Sequence, residues 1–333
     1  MKMSEKVSLT MSRDYYGAFW QLMRRGVYLD VLENGKIEDG TQLLPAQSAT
    51  AFTAALKNND LFRQYGTVLT KIDHDAKVLV SNNDSLPQWV SASGSISVEA
   101  DDSFPSKSVT AYKLAIITSL EDDFISDIGF DLESYLIGRF SKAFGKAEEN
   151  AFINGTGVSM PKGILHSTDG AETGITVTGD ITFDDVLALY FSVDKKYRGN
   201  GMWLMNDETA LILKTLKNQD GLYLWNQNSD TILGKPVYIS EYMPSDGKII
   251  AFGDFSFYYI IDRVPLGVRA LNELYAMNQK TGFLGTERLD GLLIRPEAIK
   301  VLEVEEASGT QDNPENSDTP ESPETPETPG GGE

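Results

Sequence analysis

The chain has 333 residues, a net charge of −20 and no cysteine. It is long enough to bury a sizeable core in one or two domains, and the lack of cysteine excludes disulfides, thiolate metal sites, cysteine nucleophiles and iron–sulfur clusters. An acidic chain also argues against general nucleic-acid binding, which depends on Lys and Arg neutralising phosphates. We find no apolar run typical of a signal peptide or a membrane span, so the sequence predicts a soluble protein without a membrane partner.

The first fifty residues are unlike a domain core. The segment "RDYYGAFWQLMRRG" places Tyr15, Phe19, Leu22 and Met23 on one face of a short helix, but little apolar sequence surrounds it. We therefore expect an arm that packs against something else rather than folding alone. A second helix, "SATAFTAALKNND", follows and is predicted to be capped near Ser48 or Thr50.

From Val68 to Ile117 the sequence predicts strands. Two stretches rich in β-branched residues, "TVLTKIDHDAKVLV" and "KSVTAYKLAIIT", flank a long polar segment whose single anchor is Trp89. So long a loop inside a domain is uncommon unless it has a function. The pattern predicts an extended β-hairpin that projects from the body.

The strongest predicted helix runs from Leu132 to about Asn154, with apolar residues every three or four positions and Asp131 as its N-cap. The glycines after it, in "AFINGTGVSMPKGIL", could belong to a phosphate-binding loop. A P-loop needs Lys directly after its last glycine, whereas Lys162 precedes Gly163. We therefore interpret these glycines as the end of the helix, with Asn154 or Gly155 as a left-handed C-cap.

Two more amphipathic helices follow, with predicted caps at Thr182 and Asn206, and "GMWLMN" between them predicts a short buried strand. Further strands reach Val304, so the fold class is α+β. The last segment carries nine acidic residues and no basic residue from Glu305 to Glu333, among Pro, Thr, Ser and Gly. Such a composition predicts disorder, either as solvated padding or as an exposed interaction tail.

The sequence offers no catalytic, cofactor or metal site. His74 is predicted to face away from Asp73 and Asp75 on a strand, and His166 lies beside Asp169 without a nucleophile motif. The acidic runs at Glu121–Asp123 and Asp184–Asp185 fall in predicted first turns of helices, where the helix dipole explains them. Trp203 and Trp225 are interpreted as packing anchors.

The order of these parts resembles the tailed-phage major capsid protein family, which has the Hong Kong 97 fold. The resemblance covers about residues 40–304 and rests on motifs in a shared order: Phe152–Gly157, then Pro161–Leu165, Gly234–Val237, Gly253–Phe255, Arg288–Gly291 and Pro296–Ala298. Asn154, Gly155, Gly157, Pro161 and Gly163 form the motif that closes the spine helix of the family.

The resemblance implies a specific architecture for this chain. Residues 1–47 would be the N-arm, and 48–174 a part of the peripheral domain that contains the hairpin (about 68–118) and the spine helix (about 131–154). A mixed α/β axial domain would occupy 175–256, return strands of the peripheral domain 257–304, and the acidic tail 305–333. Neighbouring subunits would be contacted by Trp89 and Phe104 of the hairpin and by Tyr15 and Phe19 of the arm.

The resemblance also implies a function. The chain would form hexamers and pentamers of the icosahedral head of a tailed bacteriophage or prophage, assembled in the host cytoplasm, and would enclose double-stranded DNA without sequence-specific binding. Scaffolding protein, portal, head maturation protease and a decoration protein are the expected partners. The alternatives are an encapsulin-like nanocompartment shell of the same fold and, from a different class, a soluble hydrolase.

Two departures from the family pattern stand out. Family members often begin with a helical scaffolding segment that a protease removes, whereas Met1 here opens directly onto the arm, so the scaffold is expected to be separate or the sequence to represent a processed form. Some members link subunits through a hairpin lysine, but no lysine lies between Lys77 and Lys107. We therefore expect non-covalent assembly.

Overall fold

The computed structural model describes residues 3–37, 39–70, 77–79, 106–217, 220–225 and 229–305. Within these ranges the α-helices are α1 Met3–Leu9, α2 Arg13–Arg25, α3 Ala46–Asn59, α4 Leu61–Tyr65, α5 Asp122–Ser126, α6 Leu132–Asn154, α7 Phe183–Ser192, α8 Lys195–Arg198 and α9 Asp207–Thr215. The strands are β1 Gln42–Leu43, β2 Thr67–Thr70, β3 Lys77–Leu79, β4 Ser106–Ser108, β5 Tyr112–Glu121, β6 Glu172–Thr178, β7 Met202–Met205, β8 Thr231–Ile232, β9 Lys235–Ile239, β10 Gly247–Gly253, β11 Tyr258–Leu271, β12 Lys280–Leu293 and β13 Ile299–Glu305.

The first of two large sheets, called here the long sheet, is built on the antiparallel hairpin of β11 and β12, each 14 residues long. Its order is β1-β11-β12-β5, and β2 pairs in parallel with β11. The spine helix α6 packs on this sheet together with α2 and α3, and their core is rich in phenylalanine: Phe19, Phe52, Phe140, Phe144 and Phe283. The peripheral layer is thus a helical face on a mostly antiparallel sheet.

The second sheet has the order β6-β13-β10-β7-β9-β8. All four residues of β7 are buried, which confirms the predicted buried strand. Trp203 and Met205 pack under α7 and α9 on one face. Met202 and Leu204 face a separate core that also contains Phe152 and Tyr258, so this strand joins the second sheet to the spine helix and the long sheet.

Helix starts follow the sequence closely, with one exception. Asp131, Thr182 and Asn206 cap α6, α7 and α9 as predicted, and Thr182 forms a reciprocal capping box with Asp185. Helix α3 instead begins after Pro45, and neither Ser48 nor Thr50 caps it. The Ser48 hydroxyl donates to Glu133 of α6 at 2.6 Å. The side chain that the sequence predicts as a cap of α3 therefore makes a tertiary hydrogen bond instead.

The arm is part of the subunit core. Tyr15 and Phe19 of α2 are both fully buried, and the Tyr15 hydroxyl donates to the Leu43 carbonyl at 2.7 Å. Gly35 packs directly on the Tyr15 ring, since a Cβ there would lie 2.0 Å from the hydroxyl oxygen. The expectation that these two side chains contact a neighbouring subunit is therefore corrected: the chain's own spine helix and sheet cover them.

The domain division also changes at two strands. Residues 257–304 were expected to return to the peripheral domain, but β13 pairs with β10 and β6 in the second sheet. The strand β6 likewise joins that sheet from Glu172, ahead of the expected start at 175. Strand periodicity shows that a segment is a strand but not which sheet it enters.

The predicted hairpin is visible at its base, where β3 and β4 pair antiparallel. The expectations for Trp89, Phe104, His74 and the acidic tail concern residues outside the described ranges. Among the described helices, none is both long enough and apolar enough to cross a membrane.

Candidate functional site: the helix-end joint and the exposed surfaces

The chain doubles back on itself directly after the spine helix. The amide of Ile164 donates to the carbonyl of Phe152 at 2.7 Å, and the amide of Leu165 donates to Ile153 at 3.0 Å. Carbonyls in the last turn of a helix have no partner within the helix, so the returning segment satisfies them. We call residues 152–165 the helix-end joint.

The glycines of this joint allow backbone to approach backbone. Gly155 has φ of −61°, so the predicted left-handed C-cap is wrong. A Cβ on Gly155 would instead lie 2.1 Å from the Pro161 carbonyl oxygen and 2.3 Å from that of Ala151. Gly163 is equally constrained, with the Ile153 oxygen 2.3 Å away, whereas Gly157 has a left-handed φ of 74°.

The three glycine amides of the joint already have acceptors, which argues against a phosphate cradle. Gly155 donates to Ala151 at 2.8 Å, Gly163 to Gly155 at 2.9 Å, and Gly157 to Pro161 at 3.3 Å. A phosphate-binding loop needs free amides that converge on the anion. The structural interpretation of these glycines therefore fits the geometry.

Contacts from the joint reach both sheets. The hydroxyl of Tyr258 on β11 donates to the Lys162 carbonyl at 2.8 Å, and the Lys162 amide donates to Gly291 on β12 at 3.2 Å. On the other side, the Asn154 amide group donates to the Tyr242 carbonyl at 2.8 Å. The joint thus fixes the end of the spine helix to the long sheet and to the second sheet.

A polar cleft of about 270 Å³ lies between this joint and the base of the hairpin. Its charged groups have partners: Lys107 donates to the Leu293 carbonyl at 2.8 Å, and Lys162 pairs with Asp169 at 2.7 Å. Burial raises the pKa of Asp290 to about 6, although amides of Thr110 and Gly291 donate to it. No nucleophile activated by a base is present among the residues that line this cleft.

The hydrolase alternative gains no support from the described residues. His166 Nδ1 accepts from the amides of Thr168 and Asp169, which is a local turn rather than a catalytic pair. In the part of the chain that the structure describes, no group of three or more His, Asp or Glu side chains is placed to hold a metal ion.

The exposed features of the described chain include apolar side chains on and after α9 and an open edge of the long sheet. Leu211 and Ile212 on α9 are 65% and 47% exposed, and Tyr223 in the turn that follows is 51% exposed. Strand β5 forms an edge of the long sheet, and within the described ranges no strand pairs with its outer side. Unpaired edges and clustered apolar side chains are typical of surfaces that other chains cover. Neither feature was predicted from the sequence.

A model of the phage capsid family matches residues 40–304, well over half of the chain. The chain belongs to the phage capsid family. This assignment confirms the resemblance drawn from the motif order, and it identifies a structural protein of a phage capsid shell.

Solved structures agree with the family. The capsid of a native GTA particle, computed with C5 symmetry, is 28% identical with a TM-score of 0.62, covering 76% of this chain and 90% of that one. The empty GTA particle gives 29% identity and a TM-score of 0.60 at the same coverage. A chain from Microbacterium phage Oxtober96 shares the fold at 17% identity and a TM-score of 0.56, covering 74% and 91%. No curated protein sequence matches the chain.

The family match and these neighbours confirm the α+β, Hong Kong 97-like fold class. The joint residues Asn154, Gly155, Gly157, Pro161 and Gly163 have a structural role that the hydrogen bonds above explain. An assembly role for Trp89 and Phe104 stays a prediction.

Proposed function

We propose that this capsid protein is the major subunit of an icosahedral head, forming hexamers and pentamers that enclose the double-stranded DNA of a tailed phage or prophage. The observation that carries the proposal is the exposure of three large apolar side chains on and after α9, namely Leu211, Ile212 and Tyr223, on a subunit that has its own buried hydrophobic cores. Burying apolar side chains of this size against another subunit stabilises an assembly by roughly 25 cal/mol per Å².

The geometry of the surface fits rotational assembly. The exposed side chains lie on and after α9, which packs on the second sheet, and they are distant in the chain from the edge strand β5. Different patches on one subunit make heterologous contacts, which close into rings when the rotation allows it. The related GTA capsid was computed with C5 symmetry, which supports a ring of this kind.

Charge supports enclosure of DNA rather than binding to it. The chain carries a net charge of −20, and tight nonspecific DNA binding requires basic side chains along the phosphates. A subunit that is acidic overall would not hold the packaged genome tightly, which leaves the genome free to exit. We also propose that scaffolding protein, portal, head maturation protease and a decoration protein act with this subunit during assembly in the host cytoplasm.

The test is assembly of the purified full chain, with and without a candidate scaffold. Analytical ultracentrifugation and electron microscopy should show pentamers, hexamers or closed shells. Only monomers under all salt and scaffold conditions would contradict the proposal.

Deletion of residues 82–95, within the hairpin segment, separates assembly from folding. The deletion should leave the unfolding midpoint of the isolated subunit unchanged and reduce shell formation. An unfolded subunit would show that this segment belongs to the core instead.

A further inference from the structure

Charged side chains are buried where the spine helix meets the long sheet. Arg63 of α4 donates to both oxygens of Glu148 on α6 at 2.6 Å, and to Asp262 on β11 at 3.0 and 3.1 Å. The Arg63 and Glu148 side chains are 4% and 1% exposed. These hydrogen bonds of Arg63 link α4, the spine helix and β11 of the long sheet.

Two further carboxyls lie in the same cluster. Asp60, which caps α4, is fully buried, and Glu287 on β12 is 6% exposed. The other ionisable group facing the cluster is the buried hydroxyl of Tyr258 on β11. Four carboxyls from four elements therefore share one guanidinium.

One oxygen on each of these two carboxyls has no donor. Within the described part of the chain, neither Asp60 Oδ2 nor Glu287 Oε1 has a hydrogen-bond partner. Both carboxyls nevertheless neighbour Glu148. A buried acceptor without a donor is costly, but a proton on each orphan oxygen would let it donate to Glu148.

The electrostatics favour those protons. Burial, followed by the negative charge of Glu148, raises the pKa of Asp60 and of Glu287 well above the usual range, and Arg63 opposes the shift in both cases. A single guanidinium cannot balance three buried negative charges together with that of the partly exposed Asp262, so protonation of Asp60 and Glu287 is the less costly state.

We propose that Asp60 and Glu287 form a proton-dependent lock between the spine helix and the long sheet. While protonated, each carboxyl donates to Glu148 and the helix is held against the sheet. When the protons leave to solvent, adjacent buried carboxylates repel one another and the junction loosens. The lock acts on the subunit itself and does not depend on how subunits assemble.

The sign of the pH dependence follows from linkage. The folded chain holds protons that the unfolded chain has already released, so stability is full below the unfolded-state pKa of about 4 and is lost as pH rises through the folded-state values. Over that window each retained proton makes the folding equilibrium constant fall about tenfold per pH unit.

The experiment is denaturant unfolding of the unassembled full chain between about pH 5 and about pH 9, for the wild type, Glu287→Gln and Asp60→Asn. Both replacements mimic the neutral acid, and Asn keeps the helix cap. In each variant the folding equilibrium constant should fall less steeply with pH than in the wild type, by a factor of up to about ten per pH unit. Asp290 contributes a decline of the same sign, but it is present in every variant and cancels in the comparison.

Asp184→Asn is the matched control, because Asp184 lies exposed in the first turn of α7. It should leave the pH slope unchanged. If one of the two test variants fails to fold, the other carries the comparison. Slopes that are parallel among the wild type and the folded variants would overturn the lock.

Hydrogen exchange locates the effect. After correction for intrinsic exchange, protection near Glu148 and Glu287 should fall with rising pH before protection in α7 falls. A loss that is uniform across the chain would overturn a local lock even if the slopes differ.

Discussion

The two sheets of this capsid subunit bury different kinds of side chain. Where the spine helix meets the long sheet, the Arg63 cluster adds ionisable groups from four elements to a core of apolar side chains. The second sheet is filled by aromatic and aliphatic groups such as Trp203 and Phe252, whose ring centroids lie 4.2 Å apart. The first junction combines ionisable and apolar side chains, whereas the second sheet is packed mainly by apolar ones.

The same contrast appears on the surface. The arm packs its aromatic residues inward beneath the spine helix, while α9, which packs on the second sheet, turns Leu211 and Ile212 outward. Buried apolar side chains stabilise the isolated subunit, whereas exposed apolar side chains add stability only when another subunit covers them. Substitutions in the two regions should therefore separate stability from assembly.

The largest effect is expected in the arm. Phe19→Ala removes a fully buried ring from the core around α6 and should cost the unassembled subunit about 3–5 kcal/mol of unfolding free energy. Chemical denaturation of the monomer measures it. A monomer of unchanged stability would mean that a neighbouring subunit, not this one, covers the ring.

The helix-end joint should be nearly as sensitive. Gly155→Ala puts a Cβ 2.1 and 2.3 Å from two carbonyl oxygens, so backbone must move, and we expect a loss of about 3 kcal/mol. Gly138→Ala is the control: it lies exposed in the same helix with no atom within 4 Å, and it should stabilise by about 1 kcal/mol. Equal effects at the two positions would contradict the close-approach interpretation.

At the second sheet, the expected change is in assembly alone. Leu211→Glu keeps helix propensity and removes an exposed apolar group, so monomer stability should stay within about 0.5 kcal/mol. The critical concentration for assembly should rise about tenfold, which is about 1.4 kcal/mol, as measured by light scattering. Leu211→Met should assemble normally; if Leu211→Glu also assembles normally, this surface is not an interface.

The smallest effect concerns helix caps. Thr182→Ala removes the capping box of α7 and should lower the unfolding free energy by about 1 kcal/mol. Thr50→Ala should change it by less than about 0.5 kcal/mol, because Thr50 is exposed and caps nothing. Thermal unfolding compares the two variants side by side. A loss of stability in Thr50→Ala as large as that in Thr182→Ala would mean that Thr50 caps α3 after all.

Local signals were readable from the sequence. Asp131, Thr182 and Asn206 cap their helices because a cap depends on a side chain and an amide three residues away. The order of motifs was sufficient to predict the family and the fold class.

Features that depend on distant parts of the chain were not predicted. Glycine is required at position 155 because the carbonyl oxygen of Pro161, six residues later, packs too close for a Cβ, and not because of the φ of Gly155. Arg63 and Glu148 are 85 residues apart, and nothing in the sequence pairs them. The sheet that β13 enters and the partner of Tyr15 likewise depend on tertiary packing.

The pairing of the long sheet constrains how the chain folds as it leaves the ribosome. Gln42 of β1 lies opposite Val268, and Thr67 of β2 lies opposite Tyr259, so each early strand must wait for β11. Closing such distant contacts is slow. Until β11 emerges, the aromatic residues of α2 lack Leu266 and Val268, which complete their core from the long sheet. The nascent arm therefore keeps part of its apolar surface uncovered until the end of β11, and chaperone demand should persist until residue 271 has emerged.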